Sequence, residues 1–264
     1  MSAGTTNREN VAKTMLSKVP EVTLYFWIIK ILCTTVGETA ADFLNFNLDL
    51  GLAITTIVMS VLLAAVLIVQ FWLRRYVPGV YWLAVVLISI VGTLITDNLV
   101  DNLDVPLETT TIVFSVALAA TFAVWYARER TLSIHTIYTT RREAFYWLAV
   151  LFTFALGTAA GDLFAEDLDL GYLLSAVIFG TLIGLVAFVH FGLEVNAVLT
   201  FWIAYVLTRP LGASIGDYLS QDLDEGGLGL GTVTTSVIFL VTILILVVYL
   251  TITRRDRIDL SEYA

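Results

Sequence analysis

Carboxylates and hydroxyls recur at fixed offsets inside stretches that are otherwise apolar. Asp42, Asp97, Asp162 and Asp217 each stand at the same distance after a tryptophan, Trp27, Trp82, Trp147 and Trp202. Stepping back by four residues from each aspartate traces one face of a helix. That face carries Lys30, Thr34 and Glu38 before Asp42, and Val85, Ser89 and Thr93 before Asp97. It carries Val150, Phe154 and Thr158 before Asp162, and Tyr205, Arg209 and Ala213 before Asp217. A ring of carboxylates attracts cations, and an all-oxygen donor set suits Mg, Ca or Mn. The four aspartates are therefore candidate cation ligands, with Glu38 as a fifth member of a candidate metal set. Thr34, Ser89, Thr93 and Thr158 form a candidate polar pathway, and Thr39, Thr96 and Asn98 are possible additional ligands. The competing reading is that these aspartates are solvated near a membrane surface or pair with a neighbouring helix.

Three charges lie deeper in apolar segments: Lys30, Glu38 and Arg209. A charge at a bilayer centre costs about 3 kcal/mol on insertion scales. Such groups persist when paired or hydrated. The simplest expectation pairs Glu38 with Arg209 across the first and last repeats, with Lys30 near the cytoplasmic third. One reading is a proton- or ion-coupling site in which Glu38 alternates between a proton or cation and its basic partner. The other is an ion pair that fixes repeat one against repeat four. Pro210, directly after Arg209, predicts a break or kink that frees carbonyls.

These residues must be positioned by membrane helices. The chain has 264 residues, 58% hydrophobic and 14% charged, against about 25% charged in soluble domains. Its apolar residues fall in runs of roughly 20, enough to cross the hydrocarbon core. The net charge of -9 thus does not describe a soluble acidic surface. Cys33 is the single cysteine, so no intrachain disulfide forms. No cleavable signal pattern is expected in the polar stretch 1–20. The spans are read at about 21–44, 51–73, 78–100, 109–127, 144–165, 171–192, 197–219 and 230–253. Grouped by repeat, this gives a tail 1–20, repeats at 21–75 and 76–130, a linker 131–143, repeats at 144–193 and 194–253, and a tail 254–264.

The predicted fold class is an all-α integral membrane protein. Eight transmembrane helices form four parallel αα-hairpin repeats, with pseudo-symmetry about the membrane normal. The polar stripes place the four first helices around a common centre, with the second helices outside. Lys and Arg concentrate in the tails and between repeats, at Arg8, Lys13, Lys18, Arg74, Arg75, Arg128, Arg130, Arg141, Arg142, Arg254, Arg255 and Arg257. Basic flanks remain cytoplasmic, so both termini are expected there and the acidic turns outside. The second aspartates, Asp49, Asp104, Asp169 and Asp224, read as helix N-caps. Gly37, Gly92, Gly157 and Gly212 read as sites of close helix contact. The four tryptophans read as interfacial belt or packing residues. The hydroxyls Thr55, Thr56, Thr110, Thr111, Ser175, Thr234 and Thr235 read either as helix–helix hydrogen bonds or as an extension of the polar path. His190 reads as an anchor, and His135 falls in the linker.

No nucleotide loop, metal-protease motif or nucleophile with a paired base is present in the sequence. No catalytic residue, enzymatic activity or cofactor is expected. Trp27, Trp82, Trp147 and Trp202, each in a two-span unit with its glycine and aspartate, resemble a bacterial membrane-protein family. That family is built of four tandem two-span repeats of unknown function, each with a characteristic tryptophan. The resemblance covers about residues 20–253. It implies eight spans and a bacterial-type inner membrane, and it brings no substrate or site residues. The residues themselves point to a transporter or permeation pathway for a small cation, with a divalent metal as one candidate and proton coupling through Glu38. The alternatives are a carrier of a small organic or anionic solute bound by Lys30 and Arg209, or a non-transporting scaffold. The expected partners are the lipid bilayer, a small cation or proton and further copies of the chain, with no nucleic acid.

Overall fold

A computed structural model describes residues 17–47 and 51–256. Asp49, Arg8, Lys13 and Arg257 lie outside the described residues. Eight helices among the described residues are long and apolar enough to cross a membrane. They are α1 (Leu24–Asp42), α2 (Leu52–Trp72), α3 (Pro78–Asp97) and α4 (Leu107–Glu129), then α5 (Thr140–Asp162), α6 (Tyr172–Leu193), α7 (Ala197–Ser220) and α8 (Thr232–Thr253). Local chemistry sets several starts. Thr23, Thr139 and Asn196 accept backbone N–H groups at the N-termini of α1, α5 and α7, and Pro78 opens α3.

The helices divide into two layers. The first helices of the repeats, α1, α3, α5 and α7, are 56–78% buried over their most apolar window, against 11–28% for α2, α4, α6 and α8. The inner four close a ring, α1 against α3, α3 against α5, α5 against α7 and α7 against α1. There is one centre. The outer helices do not pack chiefly on their own hairpin partners. Each covers the first helix of the next repeat: α2 on α3, α4 on α5, α6 on α7, and α8 back on α1. No repeat buries its apolar faces alone, and the last outer helix closes the circle on the first. The outer surface exposes Ile54, Val116, Leu185, Phe188 and Ile245, as a hydrocarbon solvent requires. This is a multi-pass membrane protein.

The N-cap expectation fails at the turns, and of the break or kink expected in α7 the break is not found. Asp104, Asp169 and Asp224 are not N-caps: the capping positions of α4, α6 and α8 are Pro106, Gly171 and Gly231, and none makes a side-chain cap bond. Asp104 and Asp169 instead adopt left-handed backbone, at φ 51° and 52°. Aspartate tolerates this region better than most residues. Pro210 does not break α7, which runs on from Ala197 to Ser220. The helix keeps its neighbours on both sides of the proline, and packing against α1 and α5 outweighs the lost N–H.

After the aspartates of the first three repeats the chain winds into one wider π-helical turn, Phe43–Asn47, Asn98–Asn102 and Leu163–Asp167. The fourth repeat has none. Its longer loop folds back instead, with the amides of Leu228, Leu230 and Gly231 donating to carbonyls of Tyr218, Leu219 and Ser220.

The terminal end is tied by buried polar contacts. Lys18 Nζ donates to Glu143 Oε2 at 2.6 Å and to Phe71 O at 3.0 Å, and Gln70 Nε2 donates to Glu143 Oε1 at 3.1 Å. In the linker, His135 Nδ1 lies 3.5 Å from Glu21 Oε1. The hydrogen bond with Glu21 raises the His135 pKa above its ordinary value, against a smaller opposing effect of burial. Folding therefore favours protonated His135. Its contribution is complete below about pH 6.5 and is lost as the pH rises through the raised folded value. Both partners are substantially exposed, so the effect is small. The expected result is a modest fall in Tm between about pH 6 and 8 that His135→Asn flattens. A Tm profile identical in the two proteins would remove the contribution.

Candidate functional site

The inner ring stacks the repeated faces into layers about 6 Å apart, one per four residues of helix. Packing of the ring depends on the glycines. A Cβ on Gly37 would fall 1.8 Å from Ser89 Oγ, on Gly92 2.7 Å from Phe154 Cβ, on Gly157 2.3 Å from Arg209 Cγ, and on Gly212 1.7 Å from Thr34 Oγ1. Each repeat's glycine thus receives the same stripe position of the following repeat, and the fourth receives that of the first. Four glycine holes and four inserted side chains make one closed cycle.

Arg209 is the largest side chain in that cycle that carries charge, and it is fully buried. Its Nη1 donates to Thr34 O at 2.8 Å, and its Nη2 to Glu38 Oε2 and Thr158 Oγ1, both at 2.6 Å, and also to Thr93 Oγ1. Thr93 Oγ1 in turn donates to Glu38 Oε2 at 3.4 Å. Residues from all four repeats thereby meet at one guanidinium. The Arg209 Nε–H has no hydrogen-bond partner among the described residues. Thr34 donates along its own helix to Ile31 O and across to Thr208 O, while Ser89 Oγ sits in the Gly37 hole without a hydrogen bond.

One layer nearer the turns, the four aspartates are not equivalent. Carboxylate oxygens of Glu38, Asp162 and Asp217 lie within 4.8 Å of one another. Asp42 and Asp97 are outside this triad. Asp217 is 7% exposed, and its carboxylate makes no hydrogen bond or ion pair with any described residue. The possible additional ligands are engaged elsewhere. Thr39 Oγ1 pairs with Ser236 Oγ at 2.7 Å, Thr96 Oγ1 donates to Ala155 O at 3.0 Å, and Asn98 Nδ2 donates to Thr56 Oγ1 and Leu94 O at 2.7 Å. Apart from the bond to Leu94 O, which lies within the same helical segment, these bonds join different helices and satisfy buried polar groups. Of the outer-helix hydroxyls, Thr110 and Thr235 donate to their own backbone, at Pro106 O and Gly231 O, while Thr56 accepts the inter-helix bond from Asn98.

On the terminal side of Arg209 the axis becomes aromatic. Lys30 is fully buried, with Nζ 4.0 Å from the Phe154 ring centre and 4.4 Å from that of Tyr205, and no hydrogen bond. Cation–π attraction is its visible compensation. Below it the Tyr81 and Tyr146 hydroxyls are 2.5 Å apart. Trp82, Trp147 and Trp202 are 2–5% exposed and belong to this plug, not to a lipid-interface belt. Trp202 also donates to Leu132 O at 2.9 Å. Trp27 is less buried because a cleft of about 600 Å³ opens beside it between α1, α6 and α7. The plug was missed in the sequence, although a signal exists. An aromatic residue precedes every repeat tryptophan: Phe26, Tyr81, Tyr146 and Phe201. His190 accepts or donates to Thr200 Oγ1 at 3.0 Å, an anchoring contact away from the axis.

No curated protein and no solved structure matches the chain. A family model described as Repeat of Unknown Function (DUF347) matches four times, at residues 25–76, 80–131, 145–196 and 200–256. Each match begins within two residues of the repeat tryptophan and contains one inner and one outer helix. With four tandem copies covering most of its length, the chain belongs to the DUF347 repeat family.

Proposed function

We propose that the protein is a transporter of a small cation, with Glu38 as the coupling carboxylate. The observation that carries this reading is the Glu38–Arg209 pair on the axis of the ring, beneath aspartates whose carboxylates have no hydrogen bond or ion pair among the described residues. The triad and its guanidinium have more negative than positive groups, which a bound cation or proton would balance. Below Arg209, the Lys30 ammonium and the layer of tyrosines and tryptophans obstruct the axis. Such a layer across the axis favours a carrier that alternates its access over an open channel. Lys18, Arg74, Arg75, Arg128, Arg130, Arg141, Arg142, Arg254 and Arg255 favour a cytoplasmic terminal end in a bacterial-type inner membrane, with the acidic layer facing out.

The test is uptake into proteoliposomes holding a pH dye and a metal-sensitive dye. Cation uptake accompanied by proton movement is expected, and Glu38→Gln should reduce it to the level of protein-free vesicles while the protein remains monodisperse. Silence of both dyes across divalent and monovalent cations would sink the reading. A second reading, an anionic solute held by Lys30 and Arg209, is favoured by one observation, the buried Lys30 Nζ without an acceptor among the described residues. It predicts solute binding that Lys30→Met abolishes and that metals do not alter.

A further inference from the structure

We infer that Glu38, Asp162 and Asp217 bind one hard divalent cation of the Mn²⁺, Mg²⁺ or Ca²⁺ class, in exchange for the ion pair between Glu38 and Arg209. This rests on the cation reading above and narrows its substrate and its site. The geometry comes first. Two oxygens on one such ion at about 2.1–2.5 Å each are at most about 4–5 Å apart. The three carboxylates satisfy this without rearrangement, with oxygens within 4.8 Å of one another. The donor chemistry comes second. The group contains only carboxylates, with no imidazole and no thiolate. That set suits hard cations and gives no particular advantage to Zn or Cu.

Asp217 supplies an independent observation. A carboxylate 7% exposed, aimed at two others and holding no hydrogen bond or ion pair among the described residues, is not explained by packing. It stands in the fourth repeat. Its helix continues as a regular α-helix past Asp217, whereas the other three repeats change to a wider turn immediately after their aspartates.

Arg209 sets the exchange. Its Nη2 is 2.6 Å from Glu38 Oε2, so a divalent ion sharing that carboxylate must weaken the pair by competition and repulsion. The guanidinium keeps other acceptors when this happens, because Thr34 O, Thr93 Oγ1 and Thr158 Oγ1 remain in reach. Metal binding and the ion pair are therefore linked with opposite sign. Weakening either strengthens the other.

The measurement is an EPR titration of the full chain in detergent, in which the signal of free Mn²⁺ disappears on binding. One Mn²⁺ per chain is expected, displaced by Mg²⁺ or Ca²⁺ and not by Na⁺ or K⁺. Asp217→Asn and Asp162→Asn should weaken binding by roughly ten-fold or more, a loss that even residues one step removed from a metal can produce. Asp97→Asn, outside the triad, should weaken binding less than Asp217→Asn does, because it removes a nearby negative charge but no ligand oxygen. Arg209→Gln, where it remains monodisperse, should tighten binding. Folded wild type that takes up no Mn²⁺, or equal effects of Asp97→Asn and Asp217→Asn, overturns the inference. Mn²⁺ bound through Asp217 without flux in proteoliposomes leaves the site standing and defeats the transport reading. Flux that Asp217→Asn does not alter defeats the site and leaves transport standing.

Discussion

Arg209→Ala is expected to destabilise the folded protein by about 3–5 kcal/mol, the range for removing one partner of a buried ion pair. The substitution leaves Glu38 buried without its cation and deletes the donors to Thr34 O, Thr93 and Thr158. It also empties the Gly157 hole, which the Arg209 stem fills. Glu38→Gln is milder, because the amide oxygen still accepts from the guanidinium while the buried positive charge loses its counter-charge. The double variant Glu38→Gln with Arg209→Met should recover a large part of the Arg209→Ala loss, since no unpaired charge remains. Reversible unfolding in mixed detergent micelles provides the comparison. An Arg209→Ala protein within about 1 kcal/mol of wild type would show that the pair is not a stability determinant.

Gly157→Ala is the second large effect. Its new Cβ would fall 2.3 Å from Arg209 Cγ, 2.4 Å from Arg209 Cβ and 2.9 Å from Pro210 Cδ. None of these atoms is the free end of a flexible side chain, so α5 and α7 must separate. Overpacking of this kind costs about 1–3 kcal/mol and sometimes more, and here it also displaces the guanidinium from Glu38. Gly184→Ala in α6 is the control. Its Cβ meets nothing within 4 Å, and the expected effect is nil or slightly stabilising. A related pair tests the cycle itself. Gly37→Ala should be destabilising because of Ser89, and Ser89→Gly should rescue it by exchanging hole and side chain. Equal stabilities for Gly157→Ala and Gly184→Ala would refute the cyclic packing.

Much of the architecture was legible because a membrane makes its demands locally. Each span needs an apolar run of a set length. The four pairs of tryptophan and aspartate, with the same offset within each pair, then reveal the repeat. The polar stripe was legible for the same reason, since lipid offers Glu38 or Arg209 no partner. The errors arose where the alternatives were nearly equal in energy. An aspartate before a helix can cap it or take the left-handed turn position, as Asp104 and Asp169 do. Pro210 can break a helix or be carried by its neighbours. A threonine such as Thr96 can face the axis or satisfy a carbonyl on the adjoining helix, Ala155 O.

The sequence by itself determined eight spans, four parallel repeats and the residues of the inner face, because apolar length and helical periodicity are properties of one segment at a time. Only the tertiary structure decided that each outer helix covers the following repeat and that the glycines form a closed cycle. It also decided that Asp162 and Asp217, not all four aspartates, join Glu38. Those outcomes depend on how helices far apart in the chain approach one another. Distances of a few ångströms between repeats one, three and four have no signature within any single repeat.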